Sequence, residues 1–463
     1  MNDVEYDRSG YENNELMKCI MQQSDSSGRQ RLVIVGGGQA AAQLVTSLRP
    51  VLTHFHVTLV AGEKHLPYQR PPLSKTFFEP GFECERLLFK DAAFYRDAGV
   101  TVLRGVKATD VDRHRALVTL DDSSALPYDY LVLATGAVAR RLDLPGSTLD
   151  GILTLRSLDD ARLLASHLHA GRTMVVIGGG YIGLEVAASS RRAGMNVTVL
   201  QSGSRVLDRV ASPYVAKVLS DLHRERGVTI RTDVKVTGFV SDAGGNSVAG
   251  VQLADGKNIS ADVVVLGVGV DPKAGLARTA GLEIEHGAVV VDRVGRTSDP
   301  RIFAAGDCTC VEVPHLGRRV RLESVSNAVA QARAIAAFLA GQPLLPLAVP
   351  WFWSEQFDSK VQIAGLAAHY DETVLRDFGA RGASSAPAFV EFYLDRGKLV
   401  SGAALNRPAD FMALRRYLDE VGPEGVVDPL KLADPSVPLG LALAGATSRL
   451  GADGVYAAEG GRR

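Results

Sequence analysis

Leu32-Val33-Ile34-Val35-Gly36-Gly37-Gly38-Gln39-Ala40-Ala41 is a short apolar run that turns at glycines into a helix-compatible stretch. The chain repeats the pattern at Met174-Val175-Val176-Ile177-Gly178-Gly179-Gly180-Tyr181-Ile182-Gly183. Each stretch reads as strand, tight turn and helix. In such a fingerprint the first glycine makes the turn, and the second lets the backbone approach a pyrophosphate. The third lets the helix pack on the strand, so that the helix N-terminus faces the negative charge. The first copy carries Ala41 at the third position, which the fingerprint permits. Two copies imply two dinucleotides in one protein, and the simplest reason to bind two is to pass electrons between them.

The fingerprint also demands an acidic residue about 20 positions on, at the end of the next strand, to hold a ribose. After the first copy, the strand His56 to Gly62 is followed by Glu63. After the second, Asn196-Val197-Thr198-Val199-Leu200 is the strand and Gln201 stands at the acidic position. The first site is complete. The second lacks the carboxylate that favours an unphosphorylated adenosine ribose, which predicts a preference for NADH with weakened discrimination against NADPH.

Length and composition fit an α/β protein of about three domains. With 463 residues, 46% hydrophobic and 22% charged, the chain has the texture of an ordinary globular protein. A formal net charge of −1 gives no footing for a nucleic-acid partner or an anionic membrane. No apolar run is long enough for a membrane span, and the N-terminus lacks a secretory pattern, so a cytoplasmic protein is expected. The four cysteines, Cys19, Cys84, Cys308 and Cys310, form no Cys-x-x-Cys, and neither a disulfide nor a metal site is expected. Residues 1–29 are polar and read as a mobile extension, and 441–463 as a loose tail.

Further motifs carry a family resemblance. They are Leu66-Pro67-Tyr68-Gln69-Arg70-Pro71-Pro72-Leu73-Ser74-Lys75, Ala134-Thr135-Gly136, Gly178 to Glu185, and Ala304-Ala305-Gly306-Asp307-Cys308. Leu322-Glu323-Ser324-Val325-Ser326-Asn327-Ala328 and Pro350-Trp351-Phe352-Trp353-Ser354-Glu355-Gln356 complete the set. In this order they resemble the pyridine-nucleotide reductases of the glutathione-reductase fold. More narrowly, they resemble the FAD-dependent ferredoxin reductases that serve Rieske oxygenases and haem monooxygenases. The resemblance implies two interleaved Rossmann-like domains followed by an α+β domain. Residues 30–144 and 272–347 would bind FAD, 145–271 would bind NAD(P), and 348–440 would form the C-terminal domain.

The resemblance also assigns roles. Gly36, Gly38, Ala41 and Glu63 would hold the ADP half of FAD, and Asp307 its ribityl chain. Arg70, Val106, Ala134, Thr135, Gly136, Val325 and Trp353 would complete the flavin site. Gly178, Gly180, Gly183, Gln201 and Gly269 would bind NAD(P)H. Lys75 and Glu185 would form an ion pair beside the flavin atom that receives hydride, which makes them the catalytic candidates. A helix starting near Ser324 would point its dipole at the electron-rich edge of the flavin.

Relatives that reduce disulfides or peroxide carry cysteines soon after the first ribose acid. Here Arg70 to Lys75 contains none. Flavin can take two electrons together and release them singly, so a small iron–sulfur ferredoxin is the expected acceptor. The alternatives are a rubredoxin or quinone reductase of the same fold, or a flavin-binding interaction protein resembling apoptosis-inducing factor. Oligomeric state is open.

Overall fold

The computed structural model describes residues 28–344, 348–367, 369–379 and 387–444. The chain divides into two compact units, Met1–Leu347 and Ala348–Arg463. The first unit is built on two five-stranded sheets whose strands all run parallel. One has the order Ile302–Ala304, Tyr130–Leu133, Gln30–Val35, Phe55–Ala61, Val100–Arg104. The other has the order Thr229–Arg231, Asn196–Leu200, Thr173–Ile177, Val263–Leu266, Ile152–Leu153.

The unbroken apolar runs in the sequence are explained by burial on both faces, as parallel sheets require. Leu32 and Ile34 face a core shared with the helices Gln39–Leu48 and Val325–Leu339. Val33 and Val35 face the opposite core, with Val289 and Val291 of a small four-stranded sheet. In the second sheet, Val175 and Ile177 pack on Phe239, Val251 and Leu253 of an antiparallel three-stranded sheet. The chain leaves the first sheet through Ala137–Ala139 and returns through Val270–Pro272, and these two strands pair antiparallel. The second parallel sheet is thus an insertion between two parts of the first.

The second unit is a five-stranded antiparallel sheet in the order Trp351–Gln356, Ser359–Gly365, Lys398–Leu405, Phe389–Asp395, Glu372–Asp377. The helix Pro408–Val421 covers it, with Phe411, Leu414 and Leu418 against Phe392, Leu394 and Leu399. Arg376 is buried here, and its guanidinium donates to the carbonyls of Leu432 and Val437.

One boundary differs from expectation. Regular structure passes the expected start of the tail at 441. The helix Leu439–Leu443 continues through it because Leu439, Ala442 and Leu443 are buried in the core. The expected extension lies outside the described residues over 1–27, as does the tail from 445. Among the described residues, no helix is long and apolar enough to cross a membrane.

Candidate dinucleotide and redox site

The two glycine turns are built alike. The Gly36 N–H donates to Val60 O at 2.8 Å, and the Gly178 N–H donates to Leu200 O at 2.8 Å. Each first glycine has a positive φ, 126° at Gly36 and 105° at Gly178. A Cβ at Gly36 would lie 2.0 Å from Ala134 O, and one at Gly178 would lie 2.4 Å from Gly267 O. These glycines are demanded by the crossing of neighbouring strands. The third position of the second copy is demanded by packing, since a Cβ on Gly183 would meet Gly178 O at 2.1 Å.

The middle glycines differ. A Cβ on Gly38 has no protein atom within 4 Å, and one on Gly180 meets only Gly267 O at 3.9 Å. No protein contact requires glycine at either place. Both lie at helix N-termini, as the N-caps of Gln39–Leu48 and Tyr181–Arg192, and neither helix has a side-chain cap. Free amide donors and open space fit the diphosphate of a dinucleotide. The residues present therefore fit both FAD and NAD(P)H.

Around the first turn a hydrogen-bonded chain joins several expected residues. Glu63 accepts from Arg70 Nη2 at 2.6 Å and from the Tyr68 hydroxyl at 2.5 Å. Arg70 Nη1 donates to Arg156 O at 2.6 Å. Arg156 Nη2 then donates to Asp307 Oδ2 at 2.6 Å. Burial acts to raise the Glu63 pKa, but the Arg70 charge and the two hydrogen bonds outweigh it and hold the carboxyl below its usual range. Burial pushes the Tyr68 hydroxyl well above its ordinary value, so it stays a donor. Val106 N bonds back to Ala61 O beside this cluster. The Thr135 hydroxyl donates to Lys273 O at 2.6 Å between Ala134 and Gly136. Asp307 follows the turn at Gly306, whose N–H donates to Gln331 of the helix Val325–Leu339. Val325 opens that helix, and Ser324 caps it by accepting from Asn327 N.

Lys75 and Glu185 meet. Lys75 Nζ lies 2.7 Å from Glu185 Oε2, with the side chains 12% and 2% exposed. Pro71 and Pro72 open a 3₁₀ turn that ends at Lys75, and Lys75 Nζ also donates to Pro71 O at 3.1 Å. Glu185 sits in the second turn of Tyr181–Arg192 and accepts from Ser74 Oγ at 2.5 Å. Ser189 of the same helix donates to Ser74 O at 2.8 Å. The pair therefore joins the segment after Glu63 to the helix after the second glycine turn.

Other expected residues lie elsewhere. Gln201 accepts from Gly179 N at 2.9 Å, and Gly269 (φ 101°) is open on its Cβ side. Trp353 belongs to the second unit, where it is half-buried and packs on Trp351 at a ring separation of 5.6 Å. Sequence reading missed Tyr68, Ser74 and Arg156 as site residues. Arg156 was traceable, since Ser157-x-x-Asp160 after it is a capping box that marks a helix start. Cys308 is buried, and burial raises its pKa, so it is held as an unreactive thiol.

Comparison with known proteins agrees with the fold. Residues 30–332 match the family model described as pyridine nucleotide-disulphide oxidoreductase, and residues 351–443 match that described as reductase C-terminal. The chain is 38% identical to putidaredoxin reductase of Pseudomonas putida, over 92% of this chain and 99% of that protein. It is 40% identical to rhodocoxin reductase of Rhodococcus erythropolis, over 89% of this chain and 94% of that one. The crystal structure of the covalent putidaredoxin reductase–putidaredoxin complex superposes with a TM-score of 0.85 at 37% identity. It covers 91% of this chain and 99% of that one.

Proposed function

The chain belongs to the pyridine nucleotide-disulphide oxidoreductases, and on that premise we propose that it is an FAD-dependent ferredoxin–NAD(P)⁺ reductase. It takes electrons from NAD(P)H and delivers them to a small iron–sulfur ferredoxin that serves an oxygenase. Bound FAD supplies the exchange between a two-electron donor and one-electron acceptors. The observation that carries the reading is the buried Lys75–Glu185 pair, which spans the two dinucleotide folds.

The residues divide the work. Gly36 and Gly38 admit the FAD diphosphate to the N-terminus of Gln39–Leu48, with Ala41 close-packed behind them. Glu63 accepts from the adenosine ribose, and Tyr68 and Arg70 hold its carboxylate in place. Asp307, fixed by Arg156, holds the ribityl chain. Val106, Ala134, Thr135, Gly136 and Val325 line the rest of the flavin site within the first unit. Gly178, Gly180, Gly183, Gln201 and Gly269 hold the nicotinamide dinucleotide in the domain 145–271. Lys75 places a positive charge where negative charge develops, in a setting with little water to screen it. Glu185 and Ser74 fix the position of that ammonium.

With no cysteine between Arg70 and Lys75, and with Cys308 held protonated, electrons leave for an external acceptor. We place the protein in the cytoplasm, a reading supported by Cys308 and Cys310 being buried as free thiols.

The test is anaerobic. The holoenzyme is mixed with NADH while flavin absorbance is followed, and turnover is then measured with and without a small iron–sulfur ferredoxin. Rapid bleaching followed by ferredoxin-dependent turnover is expected. Bleaching with no acceleration by any ferredoxin would remove the acceptor, and no bleaching would remove the reductase.

A further inference from the structure

We propose that Gln201 presents a hydrogen-bond donor to the nicotinamide dinucleotide, so that the site takes NADPH alongside NADH. This rests on the reading of residues 178–183 as the nucleotide turn, and it names which nucleotides that turn accepts.

The orientation of the Gln201 amide follows from its partner. The Gly179 N–H donates to Gln201 Oε1 at 2.9 Å. A reversed amide would bring two donors face to face, so the oxygen must be the atom that meets Gly179. The frame around it is tied down. The Gln201 N–H donates to Arg231 O at 2.9 Å, and Gln201 O accepts from Val234 N at 3.1 Å. Gly179 O accepts from Leu207 N at 2.9 Å, and Leu207 is buried in a left-handed conformation (φ 54°). A Cβ on Gly179 would lie 2.8 Å from Val206, so the loop leaves no slack there.

With Oε1 committed, Nε2 is the polar atom left for a ribose; it lies beside Gly203, as does Asp208 Oδ2, the carboxylate that Arg205 pairs and offsets. A carboxylate here would spend one oxygen on Gly179 and offer the other to the ribose hydroxyls. It would also repel a 2′-phosphate. The amide offers two donors and no charge. The oxygens of a 2′-phosphate are acceptors only, so they match it. A ribose hydroxyl can accept from it but loses the carboxylate as its own acceptor.

The loop also distributes its cations unequally. Arg205 is committed, with Nε 3.0 Å from Asp208 Oδ1, and with donations to Ala211 O at 2.8 Å and Asp208 O at 3.0 Å. It braces the loop. Arg209 is exposed on the same loop and makes no ion pair among the described residues, so it is the cation free to turn towards a phosphate.

The experiment uses the FAD-loaded enzyme. Anaerobic flavin bleaching is measured over a range of NADH and NADPH, and 2′,5′-ADP and 5′-AMP are titrated calorimetrically. The wild type is expected to use the two nucleotides with kcat/KM values within about tenfold of each other, and to bind 2′,5′-ADP. Gln201→Glu is expected to lower the NADPH/NADH ratio by about fivefold or more through the KM for NADPH, and to weaken 2′,5′-ADP. Arg209→Ala is expected to raise the KM for NADPH and leave that for NADH. Bleaching by NADH with none by NADPH would overturn the proposal, as would a ratio unmoved by Gln201→Glu. If neither nucleotide bleaches the flavin, the reductase reading fails instead, and the 2′,5′-ADP titration still decides Gln201. Binding weakened by Gln201→Glu sustains the proposal, and unchanged binding ends it.

Discussion

Lys75 is a cation with little water around it, held by one carboxylate, one carbonyl and one hydroxyl. Removing it does two things. It takes positive charge from the proposed electron-transfer site, and it strands Glu185 in a dry setting. Lys75→Ala should slow flavin bleaching by NADH on the order of 100-fold, with a smaller effect on the Kd for FAD. It should also destabilise the fold, since orphaning a buried charge costs about 3–5 kcal/mol. The double variant Lys75→Met/Glu185→Leu separates the effects. It should recover most of the stability and stay slow in stopped-flow, and a fast double variant would show that the pair is only structural. Tyr68 acts one step further out. Its hydroxyl steadies Glu63, so Tyr68→Phe should weaken FAD binding by about 1 kcal/mol, or roughly fivefold. Fluorescence titration of the apoprotein with FAD checks this, and an unchanged Kd would show that Arg70 alone positions Glu63.

At the scale of an element, the two glycine turns test the division of labour between folding and binding. Gly183→Ala drives a Cβ into Gly178 O and must push the helix Tyr181–Arg192 off its strand. It should cost several kcal/mol of stability and displace Glu185 with the helix. Gly38→Ala meets no protein atom, and the backbone there (φ −101°) suits alanine. That variant should melt as the wild-type apoprotein does, yet retain FAD poorly on gel filtration. Equal thermal loss in both variants would mean that Gly38 serves packing after all. The segment 66–75 is a second such element. Its prolines set a 3₁₀ turn rather than a full helix, and that turn brings Ser74 and Lys75 to the Glu185 carboxylate.

Over the whole molecule, carboxylates paired with arginine tie distant parts of the first unit together. Asp129 holds Arg31 across 98 residues and Asp299 holds Arg113 across 186, while Glu63 holds Arg70 within one loop segment. Burial acts to raise the Asp299 pKa, but backbone and Arg113 hydrogen bonds win and lower it. The Arg31 hydrogen bond lowers that of Asp129, and Glu63 is lowered as well. A lowered folded-state pKa contributes stability above the unfolded value, near 4, and that stability is lost as pH falls through the folded value. The contribution of these three pairs should therefore be nearly flat from pH 7 to about 5 and fall steeply below about 4. Asp299→Asn should be less stable at pH 7 and show a shallower acid limb in calorimetry. A limb of unchanged slope would assign the acid loss to other groups.

The sequence by itself determined the double dinucleotide architecture, because apolar parallel strands and sterically required glycines are local demands that leave local marks. It also marked Glu63 and Gln201 as the residues that follow the strands after the two glycine turns and, through the family motifs, the meeting of Lys75 with Glu185. Only the tertiary structure decided the rest. Arg156 reaches Asp307 across 151 residues, and Tyr68 and Ser74 look like ordinary loop residues until the fold supplies their partners. The helix Leu439–Leu443 carries regular structure beyond the expected tail because its buried face finds the second core. Above all, which atom of Gln201 faces a ligand depends on a backbone N–H that comes from another strand's turn. Hydrogen-bond direction is set by what a group meets, and a chain meets itself only when folded.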